Sequence, residues 1–133
     1  MTLPAVAYLD SSALVKLVVS EPDSEPLRAE LERWGRYASS ALARTEVVRA
    51  AAQRGRHARR TAAWLVRTLE LVSVTDEVLD AAAAVEPVAL GSLDAIHLVS
   101  ALSLGDALGA VVTYDRRLAD AARGAGLAVL TPA

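Results

Sequence analysis

The sequence contains no cysteine and no phenylalanine, and its only lysine is Lys16. The lack of cysteine excludes disulfide bonds and metal sites built from thiolates. Without phenylalanine, the core has to be built from leucine, valine and alanine, and the many alanines favour a high helix content. The apolar run from Val6 to Leu9 is too short to span a bilayer, and Asp10 interrupts it.

The sequence also lacks two familiar signals. No charged region followed by an apolar stretch and a small-residue cleavage site opens the chain, so we expect a cytoplasmic protein without a membrane partner. No glycine-rich phosphate-binding loop is present, because Gly105 to Gly109 reads as a turn before a strand. The length of 133 residues fits a single domain, residues 1–133.

Charge is distributed unevenly along the chain. The net charge is −2, yet the segment from Arg44 to Arg67 holds seven arginines and one acid, Glu46, and is therefore +6. A basic stripe on a mildly acidic protein is typical of nucleic-acid binding. A solvated helix face or a surface for an acidic protein partner would explain the stripe equally simply.

Short apolar stretches with strand character alternate with stretches of helical spacing. Strands separated by helices predict an α/β fold, in which a mostly parallel sheet of about five short strands lies between helical layers. Ser24 and Ser92 are predicted as the N-caps of two helices. The predicted strands are 6–9, 37–39, 71–74, 110–113 and 127–130.

Two aspartates follow predicted strands directly. Asp10 follows the first strand, and Asp115 comes two residues after Thr113 at the end of the fourth. Ligands of parallel sheets bind beyond the carboxyl ends of the strands, so both carboxylates fall where a site would form. Each aspartate could instead simply cap the helix that follows it.

Two further acids lie on predicted helices. Asp94 is in the first turn of a helix that is apolar almost all round, so a carboxylate there enters the interior and needs a partner or a cation. It would also complement the helix dipole. Glu46 has Leu42 and Ala50 one turn away on either side, which suggests an inward face. An ion pair with Arg49 is the simpler alternative.

Crowded carboxylates raise one another's pKa unless cations are present. Mg²⁺ and Mn²⁺ prefer oxygen ligands and bind through a few carboxylates together with substrate phosphate. Such an ion can activate water for phosphodiester hydrolysis. Four acids at distant points of the chain, Asp10, Glu46, Asp94 and Asp115, therefore predict a metal-dependent nuclease site.

The motifs around these acids resemble those of PIN-domain ribonucleases, especially the VapC toxins of bacterial toxin–antitoxin pairs. The resemblance covers essentially the whole chain. The motifs that carry it are Tyr8-Leu9-Asp10-Ser11-Ser12-Ala13-Leu14-Val15-Lys16-Leu17, Thr45-Glu46, Leu93-Asp94-Ala95-Ile96-His97-Leu98, Val112-Thr113-Tyr114-Asp115-Arg116-Arg117-Leu118 and Gly126-Leu127-Ala128-Val129-Leu130.

The resemblance implies a three-layer α/β/α PIN fold and endoribonuclease activity that depends on Mg²⁺ or Mn²⁺. Asp10, Asp94 and Asp115 would hold the metal, and Glu46 would bind it directly or through water. Ser12 and Thr113 match hydroxyl positions that support the acids. The implied partners are a structured loop of tRNA or ribosomal RNA as substrate, a VapB-type antitoxin and a second copy in a homodimer.

Alternatives remain at this point. The chain could be a catalytically silent PIN-fold module that only binds RNA or a protein. It could also be a phosphoacceptor domain, although that chemistry needs a lysine near the last strand, and Lys16 lies in the first helix. His97 could bond to Asp94 one turn away, but a packed histidine is the simpler interpretation. For Trp34 and Trp64, core or dimer contact is favoured over base stacking.

Overall fold

The computed structural model describes residues 3–133, so Met1 and Thr2 of the expected domain lie outside the described residues. The strands in this range are β1 (Val6–Leu9), β2 (Arg36–Ser40), β3 (Glu70–Val72), β4 (Leu108–Val112) and β5 (Val129–Leu130). The helices are α1 (Ser11–Val18), α2 (Ser24–Leu31), α3 (Ala43–Ala52), α4 (Arg56–Arg67), α5 (Asp76–Ala83), α6 (Ser92–Leu102) and α7 (Arg116–Gly124). Within residues 3–133, no helix has both the length and the apolar character that a bilayer span requires.

All five strands pair in parallel, in the order β3-β2-β1-β4-β5. The chain runs outward from β1 to β3, returns to place β4 beside β1, and continues outward to β5. The strand order therefore reverses between β1 and β4, and the carboxyl ends of those two strands border a crevice of the kind that binds ligands. The predicted parallel sheet of about five strands is confirmed.

Alternation along β1 shows how the layers are built. Ala7 and Leu9 pack into a core cluster with residues of α1 to α4, whereas Val6 and Tyr8 pack into a second cluster with residues of α6 and α7. Successive side chains of a strand point to opposite faces, so β1 supplies both cores. The result is the expected three-layer α/β/α arrangement, with α5 packed beside α6.

Two predicted helix caps are wrong. Ser24 and Ser92 are the first residues of α2 and α6, and neither serves as the N-cap. The Ser24 hydroxyl instead donates to the carbonyl of Lys16 at 2.7 Å and accepts from the amide of Glu21 at 2.9 Å. Ser24 is buried by this packing of α2 against the end of α1, which the local sequence does not reveal.

Candidate active site

Asp10 follows β1 and Asp115 follows β4, so their carboxylates lie at the edge where the strand order reverses. Both residues also cap helices. Asp10 Oδ1 accepts from the amide of Ala13 at 3.1 Å, and Asp115 Oδ1 accepts from the amides of Arg117 and Leu118 at 2.9 and 3.1 Å. Each aspartate therefore caps a helix and also lies at the sheet edge, because a helix begins shortly after each of the two strands ends.

Two hydroxyl groups hold the Asp10 carboxylate. Ser12 donates to Oδ1 at 2.7 Å, and Thr113 donates to Oδ2 at 2.7 Å. Asp10 is only 3% exposed, and no lysine or arginine pairs with it among residues 3–133. Burial raises the pKa of Asp10, and the hydrogen bonds from Thr113, Ser12 and the Ala13 amide offset only part of that effect.

The same hydroxyls connect the two strand ends. Ser12 Oγ accepts from the amide of Tyr114 at 2.9 Å, and Thr113 Oγ1 accepts from the amide of Asp115 at 3.0 Å. Each hydroxyl thus donates to Asp10 and accepts from the segment after β4. This network fixes the Asp10 and Asp115 segments relative to each other.

Asp94 lies in the first turn of α6 and is partly buried. Burial raises the pKa of its carboxyl group, and the negative charges of Asp115, Asp10 and Glu46 raise it further, with His97 opposing them. No hydrogen bond within residues 3–133 stabilises its ionised form. Asp94 therefore lies near enough to the other three acids for their negative charges to raise its pKa.

Glu46 is reached from two other elements. Its Oε1 accepts from the hydroxyl of Ser11 at 2.6 Å and from Nε2 of His97 at 2.8 Å. Burial raises the pKa of Glu46, but the hydrogen bonds from His97 and Ser11 outweigh burial and leave the pKa lowered. The alternative ion pair with Arg49 does not form. The suggested bond from His97 to Asp94 is also replaced by the contact with Glu46.

The donor set suits a hard divalent cation, because it consists of carboxylate oxygens and leaves the Asp94 carboxylate without a protein donor. A cation would also relieve the repulsion that raises the pKa of Asp94. Within residues 3–133, no three acidic or imidazole side chains are gathered tightly enough to form a ready-made cage.

Two neighbours of the site were not anticipated from the sequence. The local sequence predicts only that Ser11 is the first residue of a helix and that Tyr8 is a core residue of an apolar strand. Ser11 bonds to Glu46, and the Tyr8 hydroxyl lies 2.7 Å from Nδ1 of His97. No local pattern signals either contact, since each joins elements far apart in the chain.

Lys16 is engaged in ion pairs and is not free to bind phosphate. Its ammonium group pairs with Glu21 at 2.7 Å and with Asp23 at 3.3 Å, and it lies 4.6 Å from the centre of the Tyr114 ring. These contacts explain its raised pKa, for which the hydrogen bond to Glu21 is the main cause. The phosphoacceptor alternative therefore lacks a free lysine.

The arginine stripe lies on the surface of α3, of α4 and of the turn between them. All seven of its arginines are exposed, and none pairs with an acid among residues 3–133. They are Arg44, Arg49, Arg54, Arg56, Arg59, Arg60 and Arg67. Trp64 projects from the same α4 helix and is 68% exposed, so it does not belong to the core of the single chain, and the dimer contact suggested for it stays a prediction. Trp34 is partly buried, and its Nε1 donates to Glu30 at 3.0 Å.

A separate apolar groove of about 860 Å³ runs between α7 and the segment that joins α5 to α6. Leu90, Leu98 and Ala121 line it, and Arg117 and Asp120 stand at its polar side. None of the four acids lines this groove. This groove is therefore distinct from the acidic edge of the sheet.

Comparison with known proteins agrees with this architecture. Residues 7–124 match the family model described as PIN domain. The chain is 48% identical over 128 residues to the protein named Ribonuclease VapC46 of Mycobacterium tuberculosis, covering 96% of this chain and 98% of the relative. It is 37% identical to Ribonuclease VapC47 of the same species, covering 94% and 96%. The chain therefore belongs to the PIN-domain family, and within it to the VapC ribonucleases.

A solved structure supports the fold independently. The crystal structure of Mycobacterium tuberculosis VapC20, described as a toxin that cleaves the sarcin-ricin loop, superposes with a TM-score of 0.75. The match covers 95% of this chain and 99% of that chain, at 15% sequence identity. At that identity, the similarity establishes a shared fold and nothing further.

Proposed function

We propose that this protein is the toxin of a VapBC-type pair, an endoribonuclease that hydrolyses RNA phosphodiester bonds with the help of Mg²⁺ or Mn²⁺. The observation that carries the proposal is the position of Asp10 and Asp115 at the edge where the strand order reverses, where the hydroxyls of Ser12 and Thr113 join their two segments. Membership of the VapC ribonucleases supports the same conclusion.

Asp10, Asp94 and Asp115 would hold the metal, and Glu46 would bind it directly or through water. The ion would supply an activated water molecule and stabilisation of the departing oxygen. The chain supplies rigidity, because Ser12 and Thr113 fix both oxygens of Asp10 before any substrate arrives. A carboxylate that is already oriented need not be reorganised during the reaction.

The exposed arginines of α3 and α4 would bind the RNA backbone. They provide positive charge that no protein carboxylate neutralises within residues 3–133, and phosphate is the natural counter-charge. A structured loop of tRNA or ribosomal RNA is the proposed substrate class, since loops expose unstacked bases and sugar-phosphate backbone to a protein. The structurally similar VapC20 is described as cleaving such a loop, the sarcin-ricin loop.

The remaining partners follow from the family. We expect a VapB-type antitoxin to neutralise the toxin and a second copy of the chain to complete a homodimer. We also expect the chain to form a single domain, residues 1–133, and to act in the cytoplasm. Co-expression of the chain with a candidate VapB-type antitoxin, followed by size-exclusion chromatography with light scattering, would measure both assemblies.

Purified protein incubated with total RNA tests the activity directly. Cleavage is expected with Mg²⁺ or Mn²⁺, and both chelation and Asp10→Asn should abolish it. Asp80→Asn is the matched control, because it removes an exposed carboxylate on α5, outside the acidic edge. Cleavage that survives both chelation and Asp10→Asn would overturn the metal mechanism. Sequencing of RNA 5′ ends after induction would then identify the cleaved site.

The second candidate is a catalytically silent PIN-fold module. It predicts that the protein retains RNA without shortening it, with or without divalent cations. The hydrogen bonds that orient Asp10 favour catalysis over this alternative. Burial of a carboxylate costs free energy, and a catalytic role would explain why this chain has one. Filter binding and gel analysis of the same incubation would distinguish binding from cleavage.

A further inference from the structure

A buried histidine connects the two helical layers beside the four acids. His97 of α6 is 2% exposed, and its Nε2 lies 2.8 Å from Oε1 of Glu46 on α3. Its Nδ1 lies 2.7 Å from the hydroxyl of Tyr8 on β1, and Tyr8 is fully buried. Both ring nitrogens therefore have partners, and the imidazole spans from the core to the active-site edge.

The partners assign the tautomer of the ring. An ionised carboxylate can only accept a hydrogen bond, so in the 2.8 Å contact with Oε1 of Glu46 the Nε2 atom has to carry the proton. Nδ1 then accepts the proton of the Tyr8 hydroxyl. The buried hydroxyls of Ser39 and Ser100 lie beside that phenol and have no hydrogen-bond partner of good geometry among residues 3–133. Each can direct its proton at the phenol oxygen, which leaves the phenol proton for Nδ1.

Both donors to Glu46 use the same oxygen. Ser11 and His97 bond to Oε1, whereas Oε2 has no hydrogen bond within residues 3–133. The glutamate side chain is 23% exposed, so it is not sealed in the core. Two donors thus clamp one oxygen in place and leave the other available.

We propose that His97 is a positioning residue, which holds Glu46 by donating its Nε2 proton to Oε1 while Tyr8 orients the ring through Nδ1. The effect on RNA cleavage rests on the proposed function, because it requires Glu46 to take part in the reaction. The hydrogen-bond relay itself is a property of the metal-free chain. Mispositioning of a catalytic group by a fraction of an ångström lowers the rate of reaction more than the binding of substrate.

A histidine that only fills space would behave differently. Packing depends on the volume of the side chain and is indifferent to which nitrogen carries the proton. The proposed role depends on a donor at the Nε2 position. The two interpretations are therefore separated by variants of similar size that keep or lose that donor.

Nuclear magnetic resonance of the metal-free protein tests the relay without reference to activity. The chain has two histidines, and the exposed His57 can be replaced by His57→Gln, which leaves His97 as the only imidazole. Long-range ¹H–¹⁵N spectra should show the Nε2-protonated tautomer, with an Nε2 proton that exchanges slowly. Glu46→Ala should make that proton exchange rapidly. An Nδ1-protonated ring, or a spectrum unchanged by Glu46→Ala, would overturn the proposal.

Kinetics of two matched variants test the consequence. The amide nitrogen of glutamine in His97→Gln reaches the position of Nε2, whereas that of asparagine in His97→Asn reaches only the position of Nδ1. We expect His97→Asn to lower kcat by about 10–100-fold with little change in KM, and His97→Gln to restore most of the rate. Equal losses in both variants, in proportion to lost thermal stability, would overturn the proposal. If the wild type cleaves no RNA, the proposed function fails, and the spectra still decide the relay.

Discussion

Thr113 donates its hydroxyl proton to Oδ2 of Asp10 at 2.7 Å, across 103 positions of sequence. Both residues are buried, and the same hydroxyl accepts from the amide of Asp115. One side chain thus satisfies a buried carboxylate and orders the segment that carries a second acid. Its removal should affect stability and activity together.

Thr113→Val keeps the shape of the side chain but removes the hydroxyl. The Asp10 carboxylate then loses one donor in a buried setting, so we expect a loss of about 1–3 kcal/mol in the free energy of unfolding and slower RNA cleavage. Thr113→Ser keeps the hydroxyl and serves as the control, with most of the activity retained. Urea denaturation and initial cleavage rates measure the two effects. Equal behaviour of the valine and serine variants would contradict the assigned role.

Asp94→Asn should stabilise the metal-free protein as the pH rises. The pKa of Asp94 is raised in the folded state, so the folded state holds the proton more tightly than the unfolded state. Stability is therefore lost as the pH rises from the unfolded pKa, about 3.9, through the raised folded value. The asparagine variant does not ionise, and its Tm should exceed that of the wild type at pH 7 but not at pH 3.

Calorimetry in the presence of a chelator would measure this difference in Tm across the pH range. Asp80→Asn provides the control, because it removes an exposed acid from α5. A Tm difference between Asp94→Asn and the wild type that stays constant from pH 3 to pH 7 would show that Asp94 is not crowded by the other acids.

Addition of Mg²⁺ or Mn²⁺ should raise the Tm of the wild type with saturation. An ion that binds only the folded state stabilises it by about 2.7 kcal/mol when its concentration is a hundred times the Kd. That amounts to a shift of roughly 5–15 °C for a domain of this size. The shift should largely vanish in Asp94→Asn and in Asp10→Asn. Equal shifts in the wild type and both variants, measured by differential scanning fluorimetry, would place the ion elsewhere.

Replacement of Arg56, Arg59 and Arg60 by glutamine should weaken RNA binding without changing kcat. Each lost phosphate contact should reduce the slope of log affinity against log salt by about 0.7 for a single strand. The matched control replaces the three arginines Arg33, Arg36 and Arg123, which already pair with Glu30, Glu70 and Asp120. Fluorescence anisotropy at several salt concentrations measures both slopes. A control variant that loses as much affinity as the triple variant would reject α4 as the RNA-binding surface.

Local patterns in the sequence were sufficient to predict most of the secondary structure. The turn residues and apolar runs predict every strand that the structure describes, within a few residues of its bounds. They also predict Asp10 and Asp115 at strand ends, because a carboxylate directly after an apolar run is a local feature. The ends of α2 and α6 were less predictable, since Ser24 is buried by packing against α1 and does not cap its own helix.

The contacts of the candidate site could not be predicted in the same way. His97 lies one turn from Asp94, yet it bonds to Glu46 and Tyr8. Similarly, Glu46 lies one turn from Arg49 but accepts from Ser11. In both cases a contact between distant elements replaces the neighbour that helical spacing suggests.

The sequence by itself therefore determined the alternation of strands and helices, the parallel sheet and the four acids with their basic stripe. Only the tertiary structure decided that Ser12 and Thr113 donate to Asp10 and that His97 bonds to Glu46. It also decided that Trp64 lies outside the core of the chain. The physical reason is that periodicity records only which face of an element is buried. Pairing across the sheet depends on how β1 and β4 align and how α3 and α6 pack against opposite faces.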